Sequence, residues 1–448
     1  MVRRILTVCV LATLVTAPSP ASAAAALADA APADGSFTVL TYNVAGLPEL
    51  ISSAETDRKT AHTLIGQRLG RYDIVHVQED FNYHAYLYAA DTTHAYRTPT
   101  SGGAGIGSGL NTLSTIPYDT DDLERGDWDS CQFDSGDCLT PKGFTLTRHR
   151  IADGVFADLY NLHTNAGTSS GDQESRADNL NQLTAFIATH SAGNAVIVMG
   201  DTNTRYTRAA DTIRDFAAAN GLTDAWVRLE RGGSAPAAGS DALVCDAAAV
   251  TDTCEVVDKI LYRSGRAVTL TATDYHNEDA GFRTADGLML SDHFPVSAAF
   301  SWTANPDYQL SDQFGGPHGD HYNDIAAVPA AARATVVGLR AGSRVDQVSL
   351  TLTTGTVLAH GGAGGTARSL TLGSGEYVTS AYLCRAQYSG HTRIFYARFT
   401  TNLGNSVAGG TTTSDCVTRT APSGWQIAGF HGRSGSAVDK LGLVYTRR

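Results

Sequence analysis

The stretch AVIVMGDTN (195–203) combines a short apolar run with polar residues at its end. The run 196–199 is apolar, mostly β-branched, and stops at a glycine, which predicts a strand buried on both faces. Asp201 and Asn203 follow, so this strand would carry a carboxylate and an amide out of a packed core to one fixed point. Asx residues also commonly form turns after strands, and that alternative stays open while the stretch is taken alone.

Five further segments place polar residues where an apolar run meets a loop. They are 37–46, 74–80, 155–165, 256–264 and 288–302, and helices are predicted over 58–69, 173–190 and 209–219. The polar residues concerned are Asn43, Glu79, His163, Asp258, Asp292 and His293. Six segments that each supply an acid, an amide or a histidine are too many to be explained by turn formation at strand ends. The pattern therefore predicts one shared site.

The residue types in this set suit phosphate chemistry that depends on a metal ion. Glu79 and Asn43 offer a small number of hard oxygen ligands, which is how Mg²⁺ or another divalent cation is held while it keeps waters for a phosphate. Such a cation neutralises charge that grows on phosphoryl oxygens during a displacement. No Gly-x-Ser-x-Gly elbow, P-loop or HExxH motif occurs, so a serine esterase, a nucleoside triphosphatase and a zinc protease lack support.

The histidines predict proton transfer at the same site. His293 could take a proton from water, with Asp258 or Asp292 fixing its tautomer. His163 and Asn203 could donate hydrogen bonds to the phosphate or to the leaving oxygen.

The composition of the chain sets limits on its organisation and partners. With 448 residues, two domains are expected. A net charge of −12 disfavours a protein that coats nucleic acid, because phosphate contacts need Lys and Arg.

The N-terminal residues predict export. Arg3 and Arg4 precede an apolar stretch, and small residues at 21–23 provide a cleavage site, so residues 1–23 are expected to be a signal peptide and 24–35 a disordered N-terminus. The apolar stretch is too short to anchor the chain in a membrane, and no later segment qualifies. The protein is therefore expected to be secreted, with no transmembrane segment.

Cysteine spacing agrees with an extracellular location. Apart from Cys9, six cysteines fall into local pairs, and they are expected to form the disulfides Cys131–Cys138, Cys245–Cys254 and Cys384–Cys416. Zinc is the alternative, but no CxxC or nearby histidine spacing supports it.

The C-terminal third has a different character. Residues 303–311 are expected to be a linker, because the periodicity lapses around Pro306. Beyond it, dense Gly and Thr and alternating strands predict an all-β domain over 312–448. GSRVDQV (342–348) and GSAVDKL (435–441) share Gly, Ser, Val and Asp in the same order, which indicates a repeated supersecondary unit.

Residues 36–302 resemble the endonuclease/exonuclease/phosphatase superfamily, which has the DNase I-like fold. The matching stretches TYNV, VQED, NLHT, GDTN, VDKILY and SDHFPV occur in the family's order. The resemblance implies an α+β fold, a four-layer α/β/β/α sandwich with a metal-dependent phosphodiesterase site at one end. It implies that Asn43 and Glu79 serve the metal, that His163 binds or protonates the phosphate, and that Asp201 and Asn203 orient water and phosphate. It also implies that Asp258 and Asp292 support His293 as general base.

Within that superfamily the chain is most similar to secreted bacterial sphingomyelinases. An acidic, cysteine-bearing loop that runs into PKGF (141–144) carries this likeness. Those enzymes have a hydrophobic hairpin with exposed aromatics before the final motif. Here the corresponding stretch 273–287 is polar, with only Tyr275 and Phe282 available, which disfavours membrane contact through that element.

Residues 312–448 resemble jacalin-related lectins, which fold as a three-faced β-prism. FGGPHGD, RSLTLGSGEYVTS and GRSGSAVDKLGLVY carry this resemblance. In that family a Gly-x-x-x-Asp loop binds sugar hydroxyls. The matching positions are Gly435 with Asp439, and the repeat offers Gly342 with Asp346 as a second sugar site.

The resulting hypothesis is a secreted, Mg²⁺-dependent phosphodiester hydrolase with a glycan-binding lectin module. A phospholipid head group of the sphingomyelin type is the first expected substrate, together with peripheral contact with a membrane surface. A secreted nuclease with the same site is the alternative. A lectin whose hydrolase half is dispensable or inactive is the alternative from another class.

Overall fold

A computed structural model of the chain describes residues 33–133 and 137–448. The predicted signal peptide and residues 24–32 lie outside the described residues. The first strand already begins at Asp34, two residues before the expected start of the domain. None of the helices in the described part of the chain has the length and apolar content that a membrane crossing requires.

The first part of the chain alternates strands with a few helices. Its strands are β1 (Asp34–Asn43), β2 (Ile74–Gln78), β3 (Tyr96–Arg97), β4 (Asn111–Ser114), β5 (Glu124–Asp127), β6 (Gly143–Ala152), β7 (Val155–His163), β8 (Ala195–Asp201), β9 (Thr223–Asp224), β10 (Asp258–Arg263), β11 (Val268–Asn277) and β12 (Val296–Ala304). Its α-helices are α1 (Arg58–Arg68), α2 (His84–Ala90), α3 (Ser170–His190), α4 (Ile213–Asn220) and α5 (Ala225–Leu229). Single turns of 3-10 helix occur at Leu69–Arg71, Thr120–Asp122, Asp137–Leu139 and Asp279–Gly281.

These strands form two six-stranded sheets that pack face to face. The first has the order β11-β12-β1-β2-β4-β3 and the second the order β5-β6-β7-β8-β10-β9. Phe37 and Val39 of β1 pack with β8 in one core between the sheets, whereas Leu40 and Tyr42 face α1 and α2. Because α3 and α4 cover the other face of the second sheet, the predicted α/β/β/α sandwich is confirmed.

Two of the helices begin at residues whose side chains cap them. At the start of α3, the Ser169 side chain accepts from the Asp172 backbone amide and Asp172 returns the hydrogen bond, which is a capping box. Asp57 caps α1 through the Thr60 amide. The closing strand starts at Val296, so Asp292 and His293 lie just before it as predicted, and Pro295, which has no amide proton to donate to a sheet, directly precedes it.

The second part of the chain is built of strands and one turn of 3-10 helix (Asp324–Ala326). The strands are β13 (Tyr308–Leu310), β14 (Phe314–Gly315), β15 (Asp320–Asn323), β16 (Ala334–Ala341), β17 (Val345–Leu352), β18 (Val357–Gly361), β19 (Thr366–Thr371), β20 (Val378–Tyr388), β21 (His391–Thr401), β22 (Ser406–Gly410), β23 (Asp415–Thr420), β24 (Trp425–Ser434) and β25 (Val438–Arg447). They form three sheets, β13-β25-β24-β15 with β14 beside β25, β18-β17-β16-β19, and β22-β21-β20-β23. One core cluster of buried residues draws on all three sheets, which gives the predicted three-faced β-prism.

The expected linker (303–311) contains the end of β12 and the whole of β13, which hydrophobic periodicity did not predict. Ala304 ends β12, and β13 pairs with the last strand of the chain, with Tyr308 opposite Thr446. The Leu310 amide also donates to the Gly154 carbonyl at 3.2 Å. This segment is held by pairing partners distant in sequence, so it forms part of both domains.

The three predicted disulfides are present in the structure. Cys131–Cys138 and Cys245–Cys254 close short loops, with sequence separations of 7 and 9. Cys384–Cys416 has a separation of 32 and joins the neighbouring strands β20 and β23.

Candidate active site

Strand register brings the predicted site residues to one edge of the two sheets. β1 runs parallel to β2, with Asn43 opposite Gln78, so Asn43 and Glu79 leave the first sheet side by side. In the second sheet His163 pairs with Asp201 across the parallel strands β7 and β8. Asp258 pairs with Asp201 from the other side, because β10 is antiparallel to β8. Two long-range pairings thus fix three of the predicted residues.

Asp201 is the centre of the resulting contacts. Its buried carboxylate lies 3.1 Å from His163 Nε2, 3.7 Å from His293 Nε2 and 3.2 Å from the amide nitrogen of Asn43. The same carboxylate also accepts from the Asn203 backbone amide at 2.9 Å. The second sheet therefore meets the first sheet at this carboxylate.

His293 is oriented by Asp258. The distance between His293 Nδ1 and Asp258 Oδ2 is 3.0 Å, and Asp258 is 2% exposed. A proton on Nδ1 then points at Asp258, which leaves Nε2 facing Asp201 and the site. The second oxygen of Asp258 and Nδ1 of His163 are buried without a hydrogen-bond partner among the described residues.

The electrostatics of these groups are set by burial and by their mutual attraction. Burial lowers the pKa of His293, but the charges of Asp258 and Asp201 outweigh burial and raise this pKa well above its usual value. Burial raises the pKa of Asp258, with Asp201 acting in the same direction. For Asp201, burial is outweighed by the charges of His163 and His293, and its pKa is lowered. Asp201 therefore remains ionised, and His293 binds protons strongly.

Asn43 is placed as predicted, but with its amide turned. Its Oδ1 accepts from the Ala45 backbone amide at 3.1 Å, which fixes the orientation of the group. Its Nδ2 therefore faces the carboxylates and lies 3.2 Å from Glu79 Oε1. Asn43 consequently holds Glu79 in position, and its oxygen is not turned to the site as the ligand assignment expected.

Asn203 and Asp292 lie beside the site and not at its centre. Asn203 donates its side-chain amide to the Thr164 carbonyl at 3.1 Å. Asp292 accepts from the hydroxyls of Ser53 and Ser291 and makes no hydrogen bond to His293 among the described residues. The hydrogen bond that orients His293 therefore comes from Asp258, whereas Asp292 acts on His293 through its charge. The hydroxyl of Ser291 donates to the Asn43 carbonyl at 2.7 Å, which ties the loop before β12 to the end of β1.

The backbone at the site adopts conformations that most residues avoid. Among the described non-glycine residues with positive φ are Ala45 (50°), Glu79 (53°) and Asn203 (49°). Left-handed backbone at non-glycine residues persists where the surrounding structure enforces it, and it concentrates at functional sites. The three residues follow the ends of β1, β2 and β8, and this supports a functional role for this edge of the sheets.

Lys142 was not among the predicted site residues. It follows the acidic, disulfide-bonded loop, and its Nζ donates to the Thr164 carbonyl at 3.3 Å and pairs with Asp137. The Lys142 charge also contributes to the lowered pKa of Asp201. Its position at the end of an acidic loop was a usable indication, but a lone lysine before a strand is common.

The donor set suits a divalent cation. Asp201, Asp258 and His293 each offer a ligand atom, and these atoms lie within 4.8 Å of one another. Glu79 adds a partly exposed carboxylate through its contact with Asn43. Three carboxylates thus face two imidazoles in a largely buried site, and hard oxygen donors with a surplus of negative charge are what Mg²⁺ and related ions require.

The aspartates of the two predicted sugar-binding loops make different contacts. Asp439 lies 3.5 Å from Arg393 Nε, and its buried Oδ1 has no hydrogen-bond partner among the described residues. Asp346 instead accepts from the backbone amide of Gly342 at 3.2 Å. The loop that starts at Gly435 therefore presents an available acceptor, whereas the repeat engages its own carboxylate.

Comparison with known proteins identifies two families along the chain. Residues 46–248 match the model of Endonuclease/Exonuclease/phosphatase family 2, and residues 311–444 match that of the Jacalin-like lectin domain. The two parts of the chain are therefore similar to the endonuclease/exonuclease/phosphatase family and to jacalin-like lectin domains, and both predicted resemblances are confirmed.

Individual proteins are similar to parts of this chain. A sphingomyelinase of Mycobacterium bovis is 41% identical over 277 residues, which are 60% of this chain and 54% of the relative. The chain thus spans about half the length of the curated relatives that it matches. Sphingomyelinase C from Streptomyces griseocarneus is a solved structure with 19% identity and a TM-score of 0.40, covering 59% of this chain and 99% of that chain. A Malaysian banana lectin has 26% identity and a TM-score of 0.29, covering 31% of this chain and 98% of its own.

Proposed function

We propose that this protein is a divalent-cation-dependent phosphodiesterase that hydrolyses a phospholipid head group of the sphingomyelin type. The observation that carries the proposal is the set of contacts from Glu79 through Asn43 and Asp201 to His293. These contacts unite an acidic edge suited to a cation with an imidazole that binds protons strongly. The sphingomyelinase activity named for the mycobacterial relatives supports the choice of substrate class.

Different residues would bind the cation, accept the proton and bind the phosphate. Glu79 and Asp201 would hold Mg²⁺ or another divalent cation, with Asn43 keeping Glu79 in place. The cation, when bound, supplies charge that neutralises the phosphoryl oxygens and favours the neutral form of nearby imidazoles. His293, oriented by Asp258, accepts the proton of the attacking water at Nε2. His163, held at Nε2 by Asp201, would donate a hydrogen bond from Nδ1 to the phosphate in its doubly protonated form.

The lectin domain would bind glycans through the loop from Gly435 to Asp439. The Oδ1 of Asp439 has an ion pair with Arg393 at 3.5 Å but no hydrogen bond among the described residues, and this supports the assignment because a sugar hydroxyl can satisfy a buried acceptor. Asp439→Ala should abolish binding to a glycan array, whereas Asp346→Ala should leave it largely intact. Unchanged binding of Asp439→Ala would remove the assignment.

Export completes the proposal. The predicted signal peptide and the three disulfides support a location outside the reducing cytosol.

A parallel substrate assay tests the activity. Purified protein should release phosphocholine from sphingomyelin vesicles in the presence of Mg²⁺, and EDTA should stop the release. His293→Ala should lower the rate by about 10²–10⁴-fold and leave glycan binding intact. His276→Ala is the matched control, since this histidine is exposed and pairs with Asp252 and Asp274. Cleavage of plasmid DNA with no release of phosphocholine would replace the proposal with a nuclease.

A further inference from the structure

Exposed apolar side chains gather at the end of the sandwich that carries the candidate active site. Within the described residues 36–302, the exposed large apolar side chains are Leu50, Ile51, Tyr86, Ile106, Phe133, Leu139, Val244 and Leu288. Five of these eight lie on three loops at the site end, with exposures from 64% for Ile51 to 95% for Leu50. This set, termed the apolar rim, consists of Leu50, Ile51, Ile106, Phe133 and Leu139.

Each of the three loops is joined to a strand end at the site. Leu50 and Ile51 lie on the loop that follows Asn43 at the end of β1. Ile106 lies on the loop before β4, where the Gly109 carbonyl accepts from the amide of Asp80, next to Glu79. Phe133 and Leu139 lie on the disulfide-bonded loop before β6, and Trp128 at its start donates to the His163 carbonyl at 2.6 Å.

The three loops also contact one another around the site. On the first loop, the Gly46 carbonyl accepts from the Asn82 amide at 3.1 Å, and the side chain of Asn82 accepts from the Ala104 amide at 3.3 Å. On the third loop, the Leu139 carbonyl lies 3.6 Å from the position of a Cβ at Gly105. The apolar rim therefore consists of exposed side chains on neighbouring loops at the mouth of the site.

The charge on these loops favours a zwitterionic lipid surface. Residues 100–109 carry no charged side chain, and the carboxylate of Glu49 is held by the Arg58 amide at 3.0 Å. The disulfide-bonded loop is acidic, with Asp129 and Asp137, which disfavours an anionic lipid surface. A chain with a net charge of −12 gains nothing from an anionic surface. The rim side chains stand on separate loop tips, which suits insertion into an interface more than the continuous, closely packed face of a protein complex.

The stretch 273–287 does not provide this contact. Its two aromatic residues, Tyr275 and Phe282, are 3% and 1% exposed and pack in the core. The apolar rim is therefore the surface next to the site that has apolar groups to offer a bilayer.

We propose that the apolar rim inserts into the interface of a zwitterionic phospholipid bilayer and so brings the mouth of the active site against the lipid head groups. This inference rests on the proposed function, because a phosphodiesterase that acts on lipid must reach phosphates at a membrane surface. The loops use five side chains for this contact and leave the lectin domain free for glycans.

Vesicle binding by double variants tests the proposal. The rim variants are Leu50→Ser with Ile51→Ser, and Ile106→Ser with Leu139→Ser. The matched control is Val357→Ser with Leu403→Ser, which removes equally exposed apolar groups from the lectin domain. Vesicles of phosphatidylcholine and sphingomyelin, free of glycolipid, are floated with each protein in EDTA. Each rim pair should lower the bound fraction about tenfold or more, and the control should bind like the unmodified protein.

Hydrolysis of a soluble substrate separates this proposal from the proposed function. The rim variants should hydrolyse p-nitrophenylphosphocholine at the unmodified rate and lose activity only on vesicles. No hydrolysis of any phosphodiester, together with rim-dependent vesicle binding, would overturn the proposed function and support the membrane contact. Vesicle binding that is absent, unaffected by the rim variants or equally reduced by the control would overturn the membrane contact. Rim-dependent self-association without vesicle binding would overturn it in favour of a second copy of the chain.

Discussion

Asp201 shows how one carboxylate can organise a site assembled from distant parts of the chain. It is nearly fully buried and contacts Asn43, His163 and His293, which come from both sheets and from the loop before β12. A buried carboxylate is stable only when it is paired and hydrogen-bonded, and the two imidazoles meet that need. The same pairing gives His293 its high proton affinity.

The two acids beside His293 are expected to differ in importance. Asp258→Asn should lower kcat/KM on sphingomyelin by about 10²-fold or more, because an amide can no longer hold the proton on Nδ1 of His293. Asp292→Asn is the matched control and should have a much smaller effect, since Asp292 is bonded to Ser53 and Ser291. Steady-state kinetics over a range of pH checks both. Equal losses in the two variants would contradict this assignment.

Gly46 is expected to control the position of Glu79. A Cβ at Gly46 would lie 2.2 Å from the Glu79 carbonyl oxygen, so Gly46→Ala must displace the backbone that carries the carboxylate. The Mg²⁺ concentration for half-maximal activity should rise about tenfold. Gly373→Ala is the control, because its Cβ would meet only the end of the Glu376 side chain at 3.5 Å. An unchanged Mg²⁺ requirement in Gly46→Ala would show that Glu79 does not serve the cation.

At the scale of elements, parallel strand pairing accounts for the gathering of the site. β1 with β2, and β7 with β8, end at the same edge, and their polar residues emerge together. β10 contributes its first residue because it runs the opposite way. The disulfides act on loops and on the lectin sheet and do not touch this arrangement of strands.

Removal of the disulfides should destabilise the chain according to the length of the closed loop. Replacing Cys384 and Cys416 by Ser should lower the free energy of unfolding by about 3–4 kcal/mol, and replacing Cys131 and Cys138 by about 1 kcal/mol less, because the first pair closes a longer loop. Chemical denaturation followed by fluorescence measures both. A larger loss from the shorter loop would show that loop closure is not the source of this stability.

At the scale of the whole molecule, the base of the loop from Gly435 to Asp439 is fixed to the first part of the chain. Arg433 and Lys440 stand on either side of this loop. They pair with acidic residues of the first part: Arg433 with Asp122 and Glu124, and Lys440 with Asp119 and Asp122. Both cations are nearly buried, so these pairs are screened little by solvent. Glu124 is also bonded to His321, whose ring meets that of His190 on α3.

This interface should weaken in acid in two stages. The hydrogen bond to His321 lowers the pKa of Glu124 to about 2 from 4.5, and burial with nearby His321 lowers the pKa of His190 to about 4 from 6.5. In each window the unfolded chain binds protons that the folded chain does not, so stability falls as the pH falls. The midpoint of thermal unfolding should therefore decrease from pH 6.5 to 4 and again from 4.5 to 2.

Variants assign the two stages. Glu124→Gln should reduce the slope in the lower window. His190→Gln should reduce the slope in the upper one without removing it, because His76, His149 and His431, whose pKa values burial lowers to about 3, contribute there as well. Glu174→Gln, which replaces an exposed glutamate of α3, should keep the pH profile of the unmodified protein. Loss of both windows in the Glu174→Gln variant would show that the pH dependence arises elsewhere.

The sequence by itself determined both folds, the disulfide pairs and the identity of most groups at the site. Apolar runs ending at Asn43, Glu79, His163 and Asp201 indicated buried strands, because a strand covered on both faces has little choice of composition. The cysteines were paired in the order in which they occur in the sequence. Alternation predicted an all-β second domain, and its resemblance to jacalin-related lectins implied the three-faced β-prism.

Only the tertiary structure determined which side chains of the site contact one another. Asn43 accepts from the Ala45 backbone amide, Asp292 accepts from Ser53, and Lys142 donates to the Thr164 carbonyl. Each of these contacts depends on the path of a loop, and no local sequence pattern predicts that path. β13 forms because its partner is the last strand of the chain. The sequence likewise does not show that the apolar rim is exposed, because a leucine occurs both on loop tips and in cores. Local patterns record what a residue prefers, whereas burial and partners depend on contacts between segments that the chain brings together only on folding.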